Sequence, residues 1–191
     1  MANTDRPRGG TLVGTLSGGG SVSGKLRSRP VDSSNATAIF PGDFVILEDD
    51  GNVAPYTGSG GGVLLGLCVG VVVDRTVAET EHPGYLPATT AGNILVAEGD
   101  DLLIEVQDDG GATPSTAIIG SHIDVAATAG STTTGRSAHE LLMSSLTDAS
   151  PGSAQLKIVD YVHADDNDPT AVNAKWIVSI LTNVFNDSTG L

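Results

Sequence analysis

The sequence predicts an all-β protein: a compact sandwich or barrel of short antiparallel strands with an extended N-terminal arm. Three observations predict it. Short runs rich in Val, Ile and Leu recur along the chain. Gly, Pro and Asp turns separate these runs at intervals of about 8–12 residues. Almost nowhere do apolar residues recur at the 3.6-residue period of a helix.

The elements follow in order. Residues 1–35 read as a flexible, glycine-rich basic arm, and 36–191 as the β-body. Between Gly9 and Gly24 stand seven glycines among Ser, Thr, Leu and Val. So few apolar groups do not offset an ordering cost of about 1–2 kcal/mol per residue, so the arm is expected to be mobile alone or ordered on a partner. In the body, Phe44-Val45-Ile46-Leu47 runs into Asp50-Gly51, a hairpin turn whose residues tolerate positive φ, and Val53-Ala54-Pro55-Tyr56 returns. A glycine loop over 57–62 leads to a long buried strand over 63–73, kinked at Gly66 or Gly70. A polar stretch over 75–90 follows. Strands are then expected at Ile94-Leu95-Val96-Ala97, turned by Gly99-Asp100, and at 102–107, ended by Asp108-Asp109-Gly110. The apolar Ile118-Ile119 and His122-Ile123-Asp124-Val125 come next. Residues 138–145 are the one segment of helix-like composition. Two long strands, 155–163 and 175–185, close the body, the second with Trp176, Val178 and Ile180 on one face.

Charge divides the chain in two. The net charge is -14, from 9 Lys+Arg and 23 Asp+Glu. The first 31 residues hold five bases (Arg6, Arg8, Lys25, Arg27, Arg29) and one acid, Asp5. The rest holds four bases and 22 acids. Such a body is not expected to bind DNA directly, because neutralising phosphates takes many Lys and Arg. No apolar run reaches the roughly 18–20 residues that span a bilayer, and the N-terminus has no signal-peptide pattern, so neither membrane insertion nor secretion is expected. The lone Cys68, in an apolar stretch, reads as a buried thiol. Aromatics at 4% leave little area for stacking sugars or bases.

Motifs of known chemistry fail on inspection. Gly19 to Lys25 fits G-x-x-x-x-G-K, but Leu26 stands where Ser or Thr would hold Mg²⁺, and no helix can begin there. His82, His122, His139 and His163 lack ligand spacing. Gly135-Arg136-Ser137-Ala138-His139 lacks the closing Gly of G-x-S-x-G, although the fold could still gather a Ser, a His and an Asp. Asp165-Asp166-Asn167-Asp168 lacks the Gly and Glu of a calcium loop and reads as a surface turn. No catalytic residue, metal ligand or cofactor site is expected, and no enzyme activity. The positive signal is the arm, a basic strap that can dock on an acidic partner.

Taken together, Phe40-Pro41-Gly42-Asp43, Asp50-Gly51-Asn52-Val53-Ala54-Pro55-Tyr56, the Gly66 to Gly70 stretch, His82-Pro83-Gly84-Tyr85-Leu86-Pro87, Glu105-Val106-Gln107-Asp108-Asp109-Gly110, Ala117-Ile118-Ile119-Gly120, Thr134-Gly135-Arg136-Ser137 and Ala174-Lys175-Trp176-Ile177-Val178 resemble, in this order, the capsid decoration (cement) proteins of marine and cyanobacterial tailed bacteriophages. The resemblance covers about 38–185. It implies a homotrimer bound to the major capsid protein, outside the shell at three-fold and quasi-three-fold positions. Made in the host cytoplasm, it would hold capsomers against internal DNA pressure. The arm has no counterpart in that pattern; its docking through Arg6, Arg8, Lys25, Arg27 and Arg29 is read from charge. Other readings are a spike, fibre-base, tail-tube or connector component of the virion, or a carbohydrate- or Ca²⁺-binding β-module.

Overall fold

The computed structural model describes residues 3–18, 22–58, 63–72, 83–147 and 154–186. In chain order the strands are β1 (Thr11–Thr15), β2 (Leu26–Val31), β3 (Phe44–Leu47), β4 (Val53–Pro55), β5 (Gly66–Val72) and β6 (Gly92–Glu98). They continue as β7 (Leu102–Gln107), β8 (His122–Ala126), β9 (Glu140–Thr147), β10 (Leu156–Tyr161) and β11 (Lys175–Ile180). Two single 3₁₀ turns, Val22–Lys25 and Thr116–Ile118, are the only helical segments among the described residues. None of these is long and apolar enough to cross a membrane.

The strands form two antiparallel sheets packed face to face, as the sequence predicts. One runs β1-β7-β11-β10-β8-β9 and the other β2-β6-β5-β3-β4. The six-stranded sheet curls until β9 reaches the end of β7, where Leu141 and Asp108 make a parallel bridge and Asp109 N–H donates to the Leu141 carbonyl at 3.0 Å. Five strands alternating in direction bring β9 back parallel to β7, so the closing contact has to be parallel. The result is a sandwich of which one half is a nearly closed barrel.

Alternation builds the main core. Leu102, Ile104 and Val106 of β7, Trp176, Val178 and Ile180 of β11, and Leu156 and Ile158 of β10 all point inward. Away from its β2 edge, the five-stranded sheet is buried on both faces. Phe44, Leu67 and Ala97 face the main core, while Val45, Cys68 and Val96 face a second cluster containing Ile39, Leu86 and Val184. Double burial explains why β3 and β5 read as continuous apolar runs. The kink expected in β5 is a register shift between Cys68 and Gly70.

Three expectations are corrected. The helix-like 138–145 is mostly strand: β9 buries Leu141 and Met143 and leaves Glu140 and Leu142 half-buried. Leu, Glu and Met favour helices, but burial every second residue on a curled sheet overrides that weak preference. The arm is not a free appendage of 1–35 on a body starting at 36. β1 pairs with β7 and β2 with β6, so both run antiparallel to their partners and each supplies an edge strand to one sheet. Main-chain pairing, with Leu12 and Leu26 packed on the core, offsets the ordering cost that composition alone left unmet. The last two strands are also shorter than expected, ending at Tyr161 and Ile180.

Candidate functional site

The five bases expected to meet a partner are largely spent on the protein's own acids. Arg29 grips the carboxylate of Glu98 with Nε at 2.5 Å and Nη2 at 2.8 Å, and Arg27 Nε adds a contact at 3.5 Å. The Glu98 carboxylate, buried beneath them, raises the Arg29 pKa further. Lys25 Nζ reaches Asp101 Oδ1 at 2.5 Å, and Arg8 pairs with Glu105. The basic strap does dock on an acidic surface, and that surface is its own β6–β7 segment.

Arg6 and Arg8 belong to something further. Residues 3–9 run across one end of the barrel and are pinned at both ends. Asn3 Nδ2 donates to the carbonyls of Asp168, Ala171 and Val172 at 2.9, 3.2 and 3.0 Å, while Asn3 Oδ1 accepts from Asp168 N–H at 2.7 Å. Arg6 N–H donates to Gln107 Oε1 at 3.2 Å. At the other end Gly10 N–H bonds the Gly42 carbonyl at 2.8 Å. Gly9 lies at φ +71°, where an added Cβ would stand 2.3 Å from the Gly42 oxygen and 2.4 Å from Ser137. Only glycine fits there.

Between this segment and the barrel end lies a cleft of about 630 Å³, where Arg6, Arg8, Arg136 and Lys175 meet Glu105 and Asp166. Four of the chain's nine Lys and Arg thus gather at one place on an acidic molecule. Lys175 Nζ is paired with Asp166 at 2.7 Å and Arg8 with Glu105. Arg6 and Arg136 make no ion pair among the described residues. Beside the cleft lies a smaller hollow of about 340 Å³ lined by Leu12, Leu26, Pro41, Leu67 and Val69, with Arg8 and Arg136 as a shared wall.

No family model, curated protein or solved structure matches the chain. Function therefore has to be read from the site.

The other candidates resolve as structural. Asp43, Ser137 and His139 do come together, all buried. His139 Nδ1 accepts from Phe44 N–H at 3.1 Å, so its proton sits on Nε2, which faces Asp43 Oδ1 at 3.6 Å. The Ser137 hydroxyl bonds to Asp43, and its oxygen accepts from His139 N–H at 3.0 Å. With its lone pair spent on the backbone, His139 cannot take a proton from Ser137, so the arrangement of a nucleophilic triad is not met. Burial pushes Asp43 up to about 6 and His139 down to about 4. The cluster instead joins the starts of β3 and β9 to Gly9 and Gly42, directly behind the cleft.

His163 sits against Tyr161 with its ring 4.1 Å away, His122 lies on β8, and His82 is outside the described residues. No group of three His, Cys, Asp or Glu that could hold a metal occurs among the described residues. The 165–168 stretch is a turn between β10 and β11. Asn167 is buried and bonds to the carbonyls of Val162 and Lys175 at 2.8 and 3.0 Å, and Asp168 Oδ1 caps Thr170 N–H at 2.9 Å. Cys68 is buried and its thiol is pushed up to about 12. Of the G-x-x-x-x-G-K match, 19–21 lie outside the described residues.

Sequence reasoning reached Arg6 and Arg8 but missed Arg136 and Lys175. The available signal was scarcity: each is an isolated base within the strongly acidic 36–191.

Proposed function

We propose that this chain is a virion structural protein of the capsid decoration type, bound to the outside of a capsid shell through the face that carries the basic cleft. One observation carries the reading. Arg6, Arg8, Arg136 and Lys175 outnumber Glu105 and Asp166 in the cleft lining, a local excess of positive charge on a molecule of net charge -14. A charge distribution of this kind orients a protein as it approaches an acidic surface and holds it one way up. The resemblance over 38–185 supports the same reading. So does the conversion of the N-terminal segment from a loose tail into edge strands, which makes the cleft a pre-organised surface.

The docking role first assigned to all five N-terminal bases narrows. Lys25, Arg27 and Arg29 act inside the molecule, holding β2 and the turn before it, while Arg6 and Arg8 act with Arg136 and Lys175 at the cleft. In a homotrimer the cleft would recur three times, and linked footprints would convert modest contacts into firm holding.

The test uses the full chain, because removing 1–30 would take an edge strand from each sheet. Shells stripped of decoration are mixed with purified protein and imaged by electron microscopy. Density at three-fold and quasi-three-fold positions is expected. Protein that stays in the supernatant, or density at the tail or a single vertex, would reject the assignment.

A further inference from the structure

We propose that the basic cleft and the apolar hollow beside it are one binding site for a short, extended acidic segment of a protein, with an apolar side chain next to its carboxylates. The peptide chemistry follows from the site itself. Only the assignment of that segment to a capsid subunit rests on the virion reading.

The ligand's charge follows from what is unspent. Arg6 and Arg136 are both exposed and make no ion pair among the described residues. Their planar forks match carboxylates in two-point contact. Arg8 and Lys175 are half committed to Glu105 and Asp166, so they set the field while Arg6 and Arg136 supply the contacts.

The ligand's apolar part follows from the shared wall. Arg8 and Arg136 border both hollows, so a carboxylate held by Arg136 leaves a neighbouring residue over Leu12, Leu26, Leu67 and Val69. Leu67 is almost fully buried and lies at the floor, and Leu12 and Leu26 pack on the core beneath.

The ligand's shortness follows from the surroundings. The molecule has 23 acids and nine bases, and four of those bases line this cleft. A long polyanion such as nucleic acid would run from the cleft onto like charge within a Debye length of about 8 Å. A segment of a few residues fits inside the positive region. The site is also built in advance, with Asn3 anchored to the 168–172 turn and Gly9 locked against Gly42 and Ser137. Little ordering of the protein's own backbone therefore remains to oppose binding.

The experiment titrates the full-length protein with three fluorescent probes at low salt. These are a hexapeptide with one leucine beside two glutamates, the same peptide with serine for leucine, and a linear oligophosphate of equal charge. Saturable binding is expected for the leucine peptide. It should weaken about fivefold with serine, as expected for partial burial of one leucine. It should weaken at least about tenfold in Arg136→Gln and in Arg6→Gln, each losing a charge-assisted pair. Lys157→Gln, on the exposed face of β10, should leave it unchanged. Since neither arginine is ion-paired among the described residues, both variants should melt with the parent protein, which separates lost binding from lost fold. Equal binding by the variants, no saturation with the peptide, or tighter binding of the oligophosphate would overturn the proposal. Protein that binds the peptide through these arginines yet ignores stripped shells supports the site and removes the virion reading.

Discussion

Asp108 holds together the wall that presents Lys175 to the cleft, and replacing it with Asn should be costly. The residue follows β7 directly and is fully buried. Its Oδ1 accepts from Asn173 N–H at 2.7 Å and Gly110 N–H at 3.0 Å. Its Oδ2 accepts from Ala174 N–H at 2.9 Å and from the Trp176 indole N–H at 3.1 Å. All four partners are donors, so a carboxylate satisfies the site and an amide cannot. Burial raises the Asp108 pKa, and the N–H donors pull it back. Asp108→Asn keeps one oxygen but turns an NH₂ group toward two N–H donors. Two hydrogen bonds to a charged acceptor are worth roughly 3–6 kcal/mol, at about 1.5–3 each. The neutral amide recovers part of this, because the charge no longer has to be buried. A net loss of about 2–4 kcal/mol remains, or roughly 5–15 °C in melting temperature for a chain of this size. Urea unfolding followed by the emission of Trp176, the chain's single tryptophan, reads the stability and the local environment together. A midpoint within about 0.5 kcal/mol of the parent, with native emission, would refute the idea that this carboxylate organises the 173–176 turn.

Three further outcomes are expected. Gly9→Ala places a Cβ at 2.3 Å from a carbonyl oxygen at positive φ; it should release residues 3–9, seen as protease cleavage before β1 at concentrations that leave the parent intact. Glu98→Gln removes the acceptor charge shared by Arg27 and Arg29; it should cost about 1–3 kcal/mol in unfolding experiments, less in high salt because the arginine side is partly exposed. For pH, burial and the charges of Asp5, Asp109 and Asp108 raise Glu140 from 4.5 to about 7. A raised carboxyl contributes stability that is complete below its unfolded pKa and is lost as pH rises through its folded one. Between about pH 8 and 6.5 the melting temperature should therefore climb on acidification, and Glu140→Gln should flatten that climb. Below 6.5 the two buried groups oppose each other. Asp43, raised from 3.8 to about 6, favours the fold as pH falls. His139, lowered from 6.5 to about 4, disfavours it, so these two nearly cancel and the climb carried by Glu140 should continue until the pH nears that residue's unfolded value of 4.5.

Much of the fold was legible along the chain because it is locally written. Leu156 and Ile158, or Trp176, Val178 and Ile180, repeat every second residue, and Asp50-Gly51 turns β3 into β4 with Gly51 at φ +84°. The inequality of charge between the first 31 residues and the rest was equally plain. Its meaning was not, because the acids that answer Arg8, Lys25, Arg27 and Arg29 lie on β6, β7 and the turn between them, some 70 to 100 residues away. Edge-strand pairing uses main-chain groups that every residue carries, so short, largely exposed strands such as β1 and β2 leave almost no trace of the edge they will join. β9 was hidden differently, by Leu, Glu and Met whose helical preference is weaker than burial against a curled sheet. The cleft was the least legible feature, since its four bases come from positions 6, 8, 136 and 175. By itself the sequence determined strand periodicity, turn positions and the sign of each region, all set by neighbours along the chain. The tertiary structure alone decided that four bases of the N-terminal segment pair with acids of their own body, and that four distant cations share one cleft. Electrostatic energy depends on distance in space, and the closing of the two sheets sets that distance.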